Sequence, residues 1–105
     1  MPGVGKLMKQ AAKMQKKMQD LQAQLAEETL TVTSGGGAVK VTVTLQQELR
    51  GLELDPEFLK EDKAFVEETL LEGLRQALEQ SREKSEAAMN ELSQSMQVPG
   101  MPSLF

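Results

Sequence analysis

The pattern of hydrophobic and polar positions changes its period twice along the chain. From Lys6 to Glu28 the apolar residues recur at alternating steps of four and three, which is the heptad seam of an amphipathic helix. The residues between them are mostly Gln, Lys, Ala and Glu, which favour helix. The pattern predicts a helix over residues 6–28, about 35 Å long at ~1.5 Å per residue, that projects from the domain. Its seam consists of Leu7, Ala11, Met14, Met18, Leu21 and Leu25.

The period then changes to two, which is the period of half-buried strands. Two alternating runs flank the three glycines at positions 35–37, and they predict a hairpin with strands at about 29–33 and 38–45. A third strand at about 49–54 ends at Asp55-Pro56, because proline cannot donate to a sheet ladder. The apolar positions of these strands are Leu30, Val32, Val39, Val41, Val43, Leu45, Leu52 and Leu54.

A second long helix is predicted over about residues 62–96, with Asp62 as its N-cap. Gly73 is expected to be a weak point, because glycine costs a helix about 1 kcal/mol relative to alanine. Residues 97–105 contain two prolines and a glycine, and we expect them to form a flexible tail. The residues expected on the buried side of the helix are Phe65, Val66, Leu70, Leu74, Leu78, Ser81, Ser85, Ala88, Leu92 and Met96.

The element order is therefore α-β-β-β-α, an α+β fold with a small antiparallel sheet and two long projecting helices in a single domain over residues 1–96. A sheet of three short strands with exposed edges is marginal by itself. The two helical seams also need partners along their length. We therefore expect a homodimer, in which the two helices of each chain project as an antiparallel coiled coil.

The composition excludes several kinds of active site. The chain has no Cys and no His, so it has no disulfide framework, no thiolate nucleophile, no His-based triad and no ordinary transition-metal site. The glycine run lies between two strands and is not followed by Gly-Lys-Ser/Thr, so a hairpin turn explains it better than a phosphate cradle. We expect no enzyme, no cofactor and no small-molecule substrate.

Charge is distributed unevenly along the chain. Up to Ala26 there are five lysines and one acidic residue, whereas the remainder has seven basic and fifteen acidic residues. The lysines lie away from the apolar seam in one row, with neighbours about 5–6 Å apart on the helix surface. This row is either the solvated face of a coiled coil or a site for the phosphates of duplex DNA, and the scarcity of acids favours DNA. The candidate DNA-binding residues are Lys6, Lys9, Lys13, Lys16 and Lys17.

Short segments in every predicted element are similar to the YbaB/EbfC family of bacterial nucleoid-associated proteins, and the chain resembles that family over nearly its whole length. It departs at Thr44-Leu45, where the family often has Asn-Gly, so we expect a longer or irregular turn there. The segments that carry the resemblance are Leu7-Met8-Lys9-Gln10-Ala11, Met14-Gln15, Met18-Gln19, Val39-Lys40-Val41-Thr42-Val43, Leu54-Asp55-Pro56, Leu59, Glu61-Asp62-Lys63 and Met96-Gln97-Val98-Pro99-Gly100.

The resemblance implies a tweezer-like homodimer that binds DNA and alters its conformation. It also implies a location in the cytoplasm, at the nucleoid, and a role in nucleoid organisation and gene regulation. A coiled-coil adaptor or prefoldin-like client-holding protein is the alternative, since such proteins grip apolar clients at helix tips. Binding to a membrane surface is less well supported, because the apolar face of the first helix has no Trp or Phe.

Overall fold

The computed structural model describes residues 3–95. Its element order confirms the predicted α-β-β-β-α fold, while the predicted tail over residues 97–105 lies outside the described residues. The helices and strands are α1 (Val4–Glu27), β1 (Thr29–Ser34), β2 (Val39–Thr44), β3 (Leu49–Leu54) and α2 (Lys63–Ser95). Two short 3₁₀ turns lie in the loops: Gly35–Gly37 between β1 and β2, and Phe58–Lys60 between β3 and α2.

The three strands form one antiparallel sheet in the order β1-β2-β3. Val41 of the central strand pairs with Val32 on one side and with Leu52 on the other. The glycine run closes the first hairpin, and all three glycines have positive φ, between 61° and 96°. Because side chains disfavour this left-handed region, the three consecutive glycines are explained by the turn.

Helix α2 packs on one face of the sheet, over β1 and β2. The residues that bring it onto the sheet are small and recur at every fourth position: Thr69, Gly73, Ala77 and Ser81 are all buried. The prediction that the bulky seam marks the buried side was therefore partly wrong. Val66, Leu70 and Leu74 flank the core, but Phe65 and Leu78 remain 49% and 37% exposed. Small residues let the helix axis come close enough for the valines of the sheet to fill the interface.

Two serine hydroxyls bridge α2 and the sheet where the contact is closest. Ser34 Oγ donates to the backbone oxygen of Thr69 at 2.9 Å, and Ser81 Oγ donates to that of Thr44 at 2.6 Å. Within residues 3–95, no buried side-chain nitrogen or oxygen lacks a hydrogen-bond partner. The polar groups under α2 are therefore satisfied, which avoids the cost of burying them unpaired.

Replacing Gly73 by Ala is expected to destabilise the fold by about 1 kcal/mol, although alanine is the better helix former by a similar amount. A Cβ at this position would lie 3.0 Å from Ser34 Oγ, which is held by its bond to Thr69, and 3.3 Å from Val39 Cγ1. Urea denaturation measures the difference. Gly51→Ala is the matched control, because its Cβ would have no neighbour closer than 3.7 Å. Stabilisation by Gly73→Ala would contradict the close packing.

Helix α1 forms an arm that extends beyond its contact with α2. Gln22 lies opposite Met89, since Gln22 Nε2 and Met89 Sδ are 3.9 Å apart. From there α1 continues for 18 residues to Val4, whereas the described part of α2 continues for 6, to Ser95. The difference corresponds to ~18 Å of helix at ~1.5 Å per residue.

The predicted seam of α1 is covered only where α2 lies beside it. Leu25 is buried, and Met14, Met18 and Leu21 are half-buried. Ala11 and Leu7 are exposed, so within one chain the predicted coiled-coil seam is covered only along its later turns. The chain is accordingly elongated, with extents of 72 × 22 × 16 Å.

Candidate nucleic-acid interface

The arm carries the five lysines predicted as the DNA site. All of them are exposed on α1, and steps of three, four and one place them on one side of the helix, away from Leu25, the residue that anchors it. From the first to the last, this lysine stripe (Lys6, Lys9, Lys13, Lys16 and Lys17) spans about 17 Å along the helix axis at ~1.5 Å per residue. The structure therefore brings the five predicted site residues together on one surface.

The charges of the lysine stripe are not engaged within the described chain. The ion pairs among residues 3–95 are Glu48–Arg50, Glu57–Lys60, Lys63–Glu67 and Arg82–Glu86, and all of them lie outside α1. By contrast, the basic residues that follow α1, in the part of the chain called the body below, are interspersed with acidic ones. The lysine stripe is thus the part of the described surface where positive charge is concentrated and available to an anion.

Aromatic residues take no part in this surface. Phe58 is buried and meets Phe65 edge to face, with ring centroids 5.9 Å apart. Phe105 lies outside the described residues. The lysine stripe therefore has no aromatic ring on its own helix on which unpaired bases could stack. The interaction available to the stripe is contact with backbone phosphates.

Residues 3–95 contain no group of three or more Asp or Glu side chains arranged to hold a metal ion. None of the described helices combines the length and the hydrophobicity that crossing a bilayer requires.

A second surface was missed by sequence reasoning. Leu49 and Leu52 of β3 pair with buried valines of β2 and so lie on the face of the sheet that carries α2. Because α2 covers β1 and β2, these leucines remain 48% and 51% exposed. Leu78 of α2 lines the open cleft beside the β2–β3 loop, and Leu71 lies two turns earlier on the same side. We call Leu49, Leu52, Leu71 and Leu78 the leucine face.

The leucine face is hard to predict from the hydrophobic pattern. Its residues are ordinary members of amphipathic elements, and their exposure depends on which strands the helix covers. The only local signal is that β3 has leucines at three of its six positions, Leu49, Leu52 and Leu54. The same strand also carries Arg50 and Glu53, charges of the kind that edge strands normally have, so its composition alone does not mark an exposed apolar face.

The fold resembles a solved structure. The crystal structure of uncharacterized protein HP0035 from Helicobacter pylori superposes with a TM-score of 0.71. The sequences are 27% identical, and the alignment covers 85% of this chain and 96% of that one.

The family comparison agrees with the charge distribution on the arm. The sequence model of the YbaB/EbfC DNA-binding family matches residues 1–96, which include both helices, all three strands and the whole lysine stripe. The chain belongs to the YbaB/EbfC family of DNA-binding, nucleoid-associated proteins.

Proposed function

We propose that the protein binds duplex DNA as a homodimer through the lysine stripe, and that it alters the conformation of the DNA it binds. The observation that carries this proposal is the row of exposed lysines on α1, which is not neutralised by any ion pair within residues 3–95. Bound at the nucleoid in the cytoplasm, such a protein would organise DNA and influence the expression of nearby genes.

The expected interaction is independent of base sequence. Over the ~17 Å of the stripe a duplex presents about ten phosphates, of which those on the facing side can be reached. If the two stripes of a dimer neutralise about four to six phosphates, log K falls with log salt at a slope of roughly −4 to −5, at ~0.9 per contact. The acidic body repels the duplex and so favours approach through the arms.

A fluorescence-anisotropy titration of a random-sequence duplex at 50 and 200 mM salt tests this proposal. At a slope near −4.5 the affinity should fall by a factor of roughly 500 between the two concentrations. Two duplexes of unrelated sequence and equal length should bind alike. The proposal fails if no binding is seen at 50 mM salt, or if the affinity is insensitive to salt.

The homodimer is supported by the leucine face. Its four leucines are each 37% to 51% exposed on the side of the chain where α2 leaves β3 uncovered, and burying them would favour association. The opposite face of the sheet is polar, with Thr31, Thr33 and Lys40 exposed. We propose that a second copy covers the leucine face, which leaves both α1 arms free to project like tweezers.

Leu52→Glu is expected to give a folded monomer, because it places a charge in the centre of the proposed dimer interface. Analytical ultracentrifugation should show a mass near 11.6 kDa, while circular dichroism should retain the helical signal. Thr31→Glu introduces the same charge on the opposite, polar face of the sheet and should leave the dimer intact. A dimer that persists in Leu52→Glu would contradict this interface.

The structure also favours a second candidate function to a lesser degree. Val4, Leu7 and Met8 are exposed at the start of the arm, at 48%, 66% and 68%. An apolar helix tip of this kind is what a prefoldin-like client-holding protein would use. Suppression of the aggregation of a denatured client protein, lost in Leu7→Gln/Met8→Gln while DNA binding is retained, would support this second function.

A further inference from the structure

Residues 45–47, in the loop between β2 and β3, hold the base of the arm. The side chains of Leu45 and Leu25 are 2% and 3% exposed. The backbone N–H of Leu45 donates to two carbonyl oxygens at the end of α1, to Leu25 at 3.1 Å and to Glu28 at 3.0 Å. The last turn of α1 is thereby fixed to the sheet.

The next two residues of the loop bind the two helices separately. Gln46 Nε2 donates to Gln22 of α1, to its backbone oxygen at 2.9 Å and to its Oε1 at 3.1 Å. Gln47 Nε2 donates to Ser81 Oγ of α2 at 3.2 Å and to the backbone oxygen of Leu45 at 3.0 Å. Consecutive glutamines therefore connect α1 and α2 through one short loop.

The backbone of this loop is strained at Gln47. It has a φ of 60°, and it is the one residue other than glycine with positive φ in the described chain. Its N–H donates to the oxygen of Thr44 at 3.1 Å, so the loop is a three-residue hairpin connection. Glycine commonly occupies the left-handed position of such loops. A glutamine there accepts the strain and supplies a side chain that reaches α2.

The position of the stripe depends strongly on the angle at this loop. Sixteen residues separate Gln22 from Lys6, which corresponds to ~24 Å of helix. A tilt of ~10° at the base would move Lys6 by ~4 Å over this length of helix. That displacement is close to the ~5–6 Å between neighbouring lysines of the stripe, so a loosely held arm would misplace its charges relative to the phosphates.

We propose that the 45–47 loop is the mount that fixes the direction of the α1 arm, and that Gln46 is a positioning residue for the lysine stripe. The anchoring of the arm by this loop is a property of the fold and does not depend on DNA. Its consequence for DNA rests on the proposed function, so the two are tested by separate measurements.

The first measurement needs no DNA. Because the chain has no cysteine, cysteines introduced at Gln10 on α1 and at Gln80 on α2 can be spin-labelled selectively. The labelled protein is diluted with excess unlabelled protein, so that each measured distance lies within one protomer. Gln46→Ala should broaden the distance distribution, whereas Gln24→Ala, which removes an exposed glutamine of α1 without a side-chain bond among the described residues, should not.

Gln22→Ala provides a second variant that acts on the same contact from the other side. It removes the Oε1 acceptor and the Nε2 contact with Met89 Sδ, while the backbone acceptor remains, and so should again broaden the distribution. An unchanged distance distribution in Gln46→Ala would show that the 45–47 loop does not fix the direction of the arm, whatever the DNA measurements show.

The second measurement is DNA affinity. Gln46→Ala removes no charge, yet we expect duplex binding at 50 mM salt to weaken about threefold to tenfold, with the melting temperature of the protein unchanged. Gln24→Ala should bind as the unmodified protein does. A broadened distance distribution with unchanged affinity would overturn the positioning role of Gln46. If the unmodified protein fails to bind DNA, the proposed function fails, and the distance measurement still decides the mount.

Discussion

Replacing Lys9, Lys13 and Lys16 together by Gln is expected to lower the affinity for duplex DNA about a hundredfold at 50 mM salt and to flatten the salt slope of the dimer by about 2 to 3 of its roughly 4 to 5 units. These residues form the centre of the stripe, and none has an ion-pair partner within residues 3–95. The loss should be the same for all sequences, because phosphate contacts carry no direct base readout. Glutamine is also a good helix former, so α1 should survive.

The control for this triple variant removes the same charge from the body. Lys60, Lys63 and Lys84 are exposed outside α1, and their joint replacement by Gln changes the net charge equally. If affinity depends on the position of the lysines, this control should retain most of the binding and its salt slope. Equal losses in the two triple variants would show that net charge alone drives binding, and the stripe would then be an ordinary solvated face.

Val41→Asp is expected to unfold the protein. Val41 is fully buried at the centre of the sheet, between Val32 and Leu52 and beneath Gly73. An unpaired carboxylate there costs several kcal/mol, which is a large fraction of the ~5–15 kcal/mol that stabilises a typical domain. Far-UV circular dichroism should show loss of the native helix and strand signal at 25 °C.

The neighbouring position provides the control. Thr42 lies next to Val41 on the opposite face of the sheet and is half-buried. Thr42→Asp makes the same chemical change where the side chain can reach water, so it should leave a folded protein with a modest loss of stability. A native spectrum and an unchanged urea midpoint for Val41→Asp would contradict the core described above.

Periodicity was sufficient to predict the order of the elements, because the change from period 3.6 to period 2 and back depends on local sequence. The lysine stripe was predictable for the same reason, since spacing along one helix fixes which residues share a side. The small-residue contact of α2 was not predictable in this way. In the sequence, Gly73 and Ala77 are compatible with a close approach of the helix to the sheet and equally with a weak point in the helix. Only the packing of these residues on the sheet distinguishes the two.

Contacts between segments that are distant in the sequence could not be predicted from the hydrophobic pattern either. The exposure of Leu52 depends on α2 covering two strands of three, which is a property of the packed chain. The irregularity of the β2–β3 loop was expected, but the sequence did not show that Gln47 adopts a left-handed conformation while its side chain reaches Ser81 of α2.

The first turn of α1 is electrostatically unfavourable for the isolated chain. The helix begins after Gly3 without a side-chain cap and with no acidic residue in its first turn, and Lys6 lies among the unpaired N–H groups there. A helix macrodipole places about half a positive charge at this end, so the lysine repels it, whereas an anion would be stabilised by ~0.3–1 kcal/mol. A DNA phosphate beside Lys6 would also face this dipole, and would supply the negative charge that the sequence omits. The arm thus begins with an incomplete helix terminus, which the proposed ligand would complete.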